Sequence, residues 1–118
     1  SDVCTNELCS IRDNINRYSR LNATILGISI DSPFALKKFR DDKQFDFDLL
    51  SDFNKDVARA YRVLYETFPI FHMKGVTKRA AFVIDQQGLI QYVDILDNPG
   101  ELPDFKQLEE ALSQCSQE

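Results

Sequence analysis

A single histidine, three cysteines and four glycines in 118 residues leave several chemistries short of material. A tetrahedral zinc site wants four sulfur or nitrogen ligands at set spacing; here Cys4 and Cys9 are spaced C-x4-C, His72 is remote and there is no second Cys pair. No Ser/His/Asp order and no paired-carboxylate pattern accompanies His72, so hydrolytic triad chemistry lacks its parts. Gly27 and Gly88 stand apart, and neither belongs to a glycine-rich phosphate loop. We therefore expect no metal and no cofactor. Long apolar runs are missing too: none approaches the ~20 residues of a membrane span, and Gly27, Ser29 and Asp31 interrupt the most apolar stretch. With a net charge of −5 and 14 basic residues scattered rather than striped, nucleic acid is not an expected partner. No internal repeat or low-complexity segment is present. The odd cysteine count fits reactive thiols of a reducing compartment better than a disulfide framework, and we expect a soluble, cytoplasmic domain.

What is present suffices for one packed core: 43% of residues are hydrophobic, nine Phe and four Tyr among them. Leu8, Ile11, Ile15 and Tyr18 recur at helical spacing and predict one amphipathic helix running to about Arg20. Ala23–Ile30 is nearly all apolar and β-branched, which predicts a strand buried on both faces. Ser32 as N-cap and Pro33 in the first turn open a helix to about Lys43, with Phe34, Ala35, Leu36 and Phe39 inward. Residues 45–52 alternate weakly, as a short strand or loop. A third helix follows, capped by Asn54, with Val57, Tyr61 and Leu64 as its stripe. Residues 65–78 show no single period, yet Phe68, Ile70, Phe71 and Met73 are too apolar to hang in water, which suggests a lid or a subunit contact. Ala80–Asp85 and Leu89–Ile95 about the turn Gln86-Gln87-Gly88 predict a β-hairpin. After a turn at 97–100 comes a last helix burying Phe105, Leu108 and Leu112.

The stretch Cys4-Thr5-Asn6-Glu7-Leu8-Cys9 opens the first helix, and the chemistry is expected there. At a helix N-terminus, unpaired N–H groups and the positive end of the macrodipole stabilise a thiolate over a thiol. Such settings lower a cysteine pKa from ~8.5 to roughly 3.5–7.5, and the thiolate is the nucleophile. The residues alone also allow plainer roles: Cys4 as a small buried hydrophobe, Glu7 as an acid favoured by the helix dipole, Arg79 as a solvated strand-end residue, and Arg12 as a surface partner of Asp13. Cys9 lies five residues on, a rise of ~7.5 Å and a turn of ~500°, so it points away from Cys4, and a disulfide requires the first turns to unwind. Cys9 as a packed small residue is the alternative, and Cys115 near the C-terminus reads as incidental or as a resolving thiol across subunits.

Ser1-Asp2-Val3-Cys4 resembles the second half of the peroxiredoxin signature, Pro-x-x-x-Thr/Ser-x-x-Cys. The likeness continues through Gly27-Ile28-Ser29-Ile30-Asp31-Ser32-Pro33-Phe34-Ala35, Leu49-Leu50-Ser51-Asp52-Phe53-Asn54 and Lys78-Arg79-Ala80-Ala81-Phe82-Val83-Ile84-Asp85. The Ser-Pro-Phe-Ala and Leu-Ser-Asp-Phe-Asn runs are most similar to the alkyl hydroperoxide reductase E branch, and the C-x4-C spacing to the bacterioferritin-comigratory-protein branch. This resemblance implies a thioredoxin-like α/β layered fold, a mixed central sheet flanked by helices, in one domain over residues 1–118. It also implies that strands preceding Ser1 are absent, so that the strand Ala23–Ile30 would lack a neighbour. The activity implied is that of a thiol peroxidase acting on hydrogen peroxide and alkyl hydroperoxides, regenerated by a thioredoxin-like dithiol, with homodimerisation through Phe68–Met73 in view. Cys4 would be the peroxidatic thiol, Cys9 the resolving thiol, Ser1 and Arg79 donors to the peroxide oxygens, and Glu7 the carboxylate orienting Arg79. Family members mostly carry Thr where Ser1 stands. A thioredoxin-like disulfide oxidoreductase, disfavoured by C-x4-C, and a non-catalytic interaction module are the competing readings.

Overall fold

The computed structural model describes residues 2–65, 75–98 and 100–116, without the side chains of Asp2, Val3, Cys4, Ser19 and Ser116. The chain divides into two compact units, one made of Ser1–Thr24 and Arg79–Glu118, the other of Ile25–Lys78.

In the first unit the expected single helix is two, α1 (Asp2–Asp13) and α2 (Ile15–Arg20). Asn14 makes the break. Its side-chain amide donates to the Ser10 carbonyl at 2.8 Å, while its backbone N–H is shared between the Ser10 and Ile11 carbonyls at 3.2 Å each. A short polar side chain bonding back to the preceding turn offers the backbone an alternative to the regular ladder and bends it. α2 stops at Asn22, which takes a left-handed φ of 56°, and the Ala23 N–H closes back onto the Tyr18 carbonyl at 3.1 Å. The apolar stripe survives the break, with Tyr18 buried at its end.

The hairpin forms where its alternation predicts, as β3 (Arg79–Ile84) and β4 (Ile90–Leu96), paired antiparallel with Arg79 opposite Leu96 and Ala81 opposite Asp94. Its turn is organised by Asp85, whose Oδ1 accepts the Gln87 and Leu89 N–H groups at 2.9 Å each, with Gly88 at φ 83°. An irregularity in register falls between Val83 and Ile84. The helix α5 (Phe105–Ser116) packs on both strands and buries Leu108, with Phe105 and Leu112 half-buried.

The second unit is a β–α–β arrangement: β1 (Leu26–Ser29), α3 (Pro33–Lys43) and β2 (Asp48–Ser51), followed by the short α4 (Asp56–Ala60). β1 and β2 pair in parallel from Leu26↔Asp48 to Ser29↔Ser51, so β1 does have a neighbour, contrary to the expectation from sequence. Nor is it buried on both faces. Leu26 and Ile28 are 53% and 52% exposed, and the half-buried positions Gly27 and Ser29 alternate with them. A Cβ at Gly27 would stand 2.6 Å from Leu49 Cδ2 on the paired strand, so that side chain would have to shift for any larger residue there. α3 begins as expected, with Ser32 Oγ accepting the Ala35 N–H at 3.2 Å and Pro33 in the first turn. Phe34 is not inward, however, being 86% exposed. Leu36, Phe39 and Arg40 define the inner stripe, and Phe34 lies two positions before Leu36, roughly 200° round the helix. Phe45 packs edge-on to Phe39 at 5.3 Å between ring centroids and stacks on Phe47 at 5.2 Å. Among the described residues the parallel pairing of β1 and β2 and the antiparallel pairing of β3 and β4 fall in two separate two-stranded sheets rather than in one mixed sheet, within an α/β chain.

Asn54 is not the cap of α4. The cap position is Lys55, left-handed at φ 65° and without a side-chain bond, and the acceptor comes from Asp52. Its two carboxylate oxygens take the Val57 and Ala58 N–H groups at 3.0 and 2.8 Å, reaching amides that Asn54 does not. α4 buries Ala58 rather than the expected stripe: Val57 is exposed, Tyr61 lies just past its end, and Leu64 bridges to Thr77 instead. Phe68–Met73, and His72 with them, lie outside the described residues. No helix among the described residues is long and apolar enough to cross a membrane.

Asp52 is 7% exposed, and Asp52→Ala leaves the buried Ala58 amide and the part-buried Val57 amide without their acceptor. We expect it to lower the unfolding free energy by about 1–3 kcal/mol in urea titration. The slope of that titration stays unchanged if only the native contact is lost.

Candidate active site

α1 carries Cys4 in its first turn, so the Cys4 backbone N–H belongs to the group that lacks an acceptor within the helix. Its side chain, and Ser1 entirely, lie outside the description. One turn on, Glu7 faces β3, and its Oε2 accepts a hydrogen bond from Arg79 Nη1 at 2.8 Å. Both partners are deeply placed, their side chains 13% and 11% exposed, so the pair sits in a low-dielectric setting. These two residues, 72 apart in the chain, are the pair that sequence reasoning joined.

Burial pushes the Glu7 carboxyl above its ordinary range. The Arg79 hydrogen bond and charge pull it back, and the negative charge of Asp94 raises it again. Asp94 was not singled out from sequence. The signal was available in principle: in Tyr92-Val93-Asp94-Ile95-Leu96 the inward positions of β4 are Tyr92, Asp94 and Leu96, and a carboxylate on the covered face of a strand asks for a partner.

Cys9, also on α1, is a free, half-buried thiol, as is Cys115 on α5. α1 is continuous from Asp2 to Asp13, so Cys4 and Cys9 are separated by a helical rise of ~7.5 Å and lie beyond the ~7 Å Cα limit for a disulfide. Arg12, in the last turn of α1, pairs with its neighbour Asp13 at 3.0 Å near the surface. Among the described residues no group of three or more His, Cys, Asp or Glu side chains is placed to hold a metal ion.

A helix that opens on a cysteine and is tied by its own glutamate to a strand-initial arginine can now be compared with known proteins. The description of the AhpC/TSA family matches residues 1–93. The chain belongs to that family. Alkyl hydroperoxide reductase E of Mycobacterium tuberculosis is 31% identical over 113 residues, covering 94% of this chain and 69% of that protein. A 2-cysteine peroxiredoxin of the chloroplast from Chattonella marina var. antiqua is 32% identical over 97 residues, covering 76% of this chain and 46% of that protein. Among solved structures, peroxidoxin BcpB of Mycobacterium tuberculosis superposes with a TM-score of 0.76 at 28% identity, covering 98% of this chain and 70% of that one. This AhpC/TSA chain therefore has the thioredoxin-like peroxiredoxin fold, while spanning only about half the length of the chloroplast relative.

The raised Glu7 carboxyl has a defined effect on stability. The folded state holds the proton to higher pH than the unfolded chain does, so this group favours folding most below its ordinary pKa of 4.5. That contribution is lost as pH rises through the raised folded-state value. Urea unfolding as a function of pH is expected to show this decline in wild type, and the decline is expected to be absent from Glu7→Gln.

Proposed function

We propose that this chain is a thiol peroxidase that reduces hydrogen peroxide and small organic hydroperoxides through Cys4. The observation that carries the reading is the buried Arg79–Glu7 pair beside the helix that bears Cys4. Family membership and the mycobacterial alkyl hydroperoxide reductase relative support the substrate class.

In this mechanism the Cys4 thiolate attacks the distal peroxide oxygen. The S–O bond forms as the O–O bond breaks, sulfur is oxidised to sulfenic acid, and the departing alkoxide or hydroxide takes a proton to leave as alcohol or water. Charge grows on the leaving oxygen, so donors fixed near it lower the barrier. Arg79 supplies a permanent charge and a planar fork of donors, with Ser1 and the Cys4 N–H as further donors. Glu7 holds the guanidinium at one orientation. Cys9 then attacks the sulfenic sulfur, forming a disulfide and releasing water, once the first turns of α1 have opened. A thioredoxin-like dithiol reduces that disulfide, and the odd count of three cysteines fits a reducing compartment such as the cytoplasm. A second copy of the chain as a dimer partner belongs to the same reading.

The test is intact mass and free-thiol count before and after one equivalent of hydrogen peroxide. Wild type is expected to lose two hydrogens and two thiols, and neither Cys4→Ser nor Cys9→Ser should do so. A single added oxygen on Cys4, indifferent to Cys9, would replace the resolving role with an outside thiol, and no reaction at all would end the peroxidase reading. Arg79→Ala is expected to slow thiol loss by about 10²-fold or more, the usual cost of removing one such donor. On oxidation, amide exchange over residues 4–12 is expected to accelerate; exchange that stays equally slow would contradict the unwinding.

A further inference from the structure

Residues directly opposite in an antiparallel pair project to the same side, as do alternate residues along each strand. With Arg79 opposite Leu96 and Ala81 opposite Asp94, the side chains of Arg79 and Asp94 share one face as diagonal neighbours, with Cα atoms roughly 7–8 Å apart. That is the face Glu7 meets, since Glu7 bonds Arg79 from α1. Asp94 is half-buried and held in place: its Oδ2 accepts the Asp104 backbone N–H at 3.0 Å, just ahead of α5, and the Tyr92 hydroxyl at 3.5 Å. Glu7 therefore bonds the guanidinium, and Asp94 lies on the same face of the hairpin as Arg79.

We propose that Asp94 is a positioning residue of this site, a second carboxylate that acts on Arg79 through Glu7. The inference rests in part on the peroxidase reading above. The charged groups acting on Glu7 are Arg79 from β3 and Asp94 from β4, of opposite sign. Burial disfavours the Glu7 carboxylate, Arg79 favours it and Asp94 opposes it, so Asp94 adds to burial in raising the pH at which Glu7 releases its hold on the guanidinium. Asp104 lies against Asp94 and Tyr92 rather than against Glu7.

The variant Asp94→Asn keeps an acceptor for Asp104 and Tyr92 and removes only the charge; Asp94→Ser does the same with a smaller group. Carbon-13 NMR titration of the Glu7 carboxyl in the whole chain is expected to show its midpoint moving to lower pH in whichever of these variants folds, and staying put in Asp104→Asn. An unmoved or raised midpoint would overturn the proposal. In peroxide kinetics the acid limb of the rate is expected to shift to lower pH in Asp94→Asn, and that shift is expected to vanish on a Glu7→Gln background. A shift that persists there means that Asp94 acts directly on the thiolate, which also overturns the proposal. If the NMR midpoint moves as expected but wild type is inert toward peroxide, the charge cluster stands and the peroxidase reading fails.

Discussion

The buried ion pair between Arg79 and Glu7 is the constraint on which the arrangement of α1 against β3 turns. Taking two charges out of water is expensive, and a buried pair seldom adds net stability over a well-packed apolar pair. Breaking it is another matter. Removing one partner of such a pair generally costs about 3–5 kcal/mol, because the other charge loses compensation. Such a pair locks relative position without being an efficient way to gain stability, which fits a group kept for where it holds a guanidinium.

The site also divides its electrostatic work between kinds of donor. Helix amides at the start of α1 are fixed partial charges that do not titrate, and the guanidinium keeps its full charge across the accessible pH range. The carboxylates are the groups whose state changes with pH. Any pH response that involves Arg79 therefore originates in its partners, Glu7 among them.

Much of this was legible in the chain itself. The alternation on either side of Gln86-Gln87-Gly88 and the Ser32-Pro33 start of α3 specify structure locally, and both formed, while the period of Leu8, Ile11, Ile15 and Tyr18 formed helix on either side of a break at Asn14. The pairing of Glu7 with Arg79 formed too, and it came from resemblance rather than periodicity. What was misread depended on side-chain bonds and helix phase within a few residues, and on contacts distant in the chain. Asn14 splits a helix through a bond to Ser10 that propensity does not reveal; Asp52 reaches past the apparent cap Asn54; and Phe34 looks inward by composition although the helical period turns it out. Leu26 and Ile28 show the limit on burial, since an apolar strand in sequence says nothing of which face its neighbours cover. Asp94 was missed because a lone acid in a strand acquires meaning only when the register sets it beside Arg79.

The irregularity between Val83 and Ile84 separates the hairpin into a turn end and a site end. In a regular antiparallel pair a slip of one residue turns every side chain to the other face, and Arg79 and Asp94 would leave the covered side together. Because the ladder is reset at that irregularity, a change in turn length meets a break in register before it reaches either residue. The charged end of this hairpin therefore takes its alignment from the regular pairs between Arg79↔Leu96 and Val83↔Tyr92, apart from the turn that Asp85 organises.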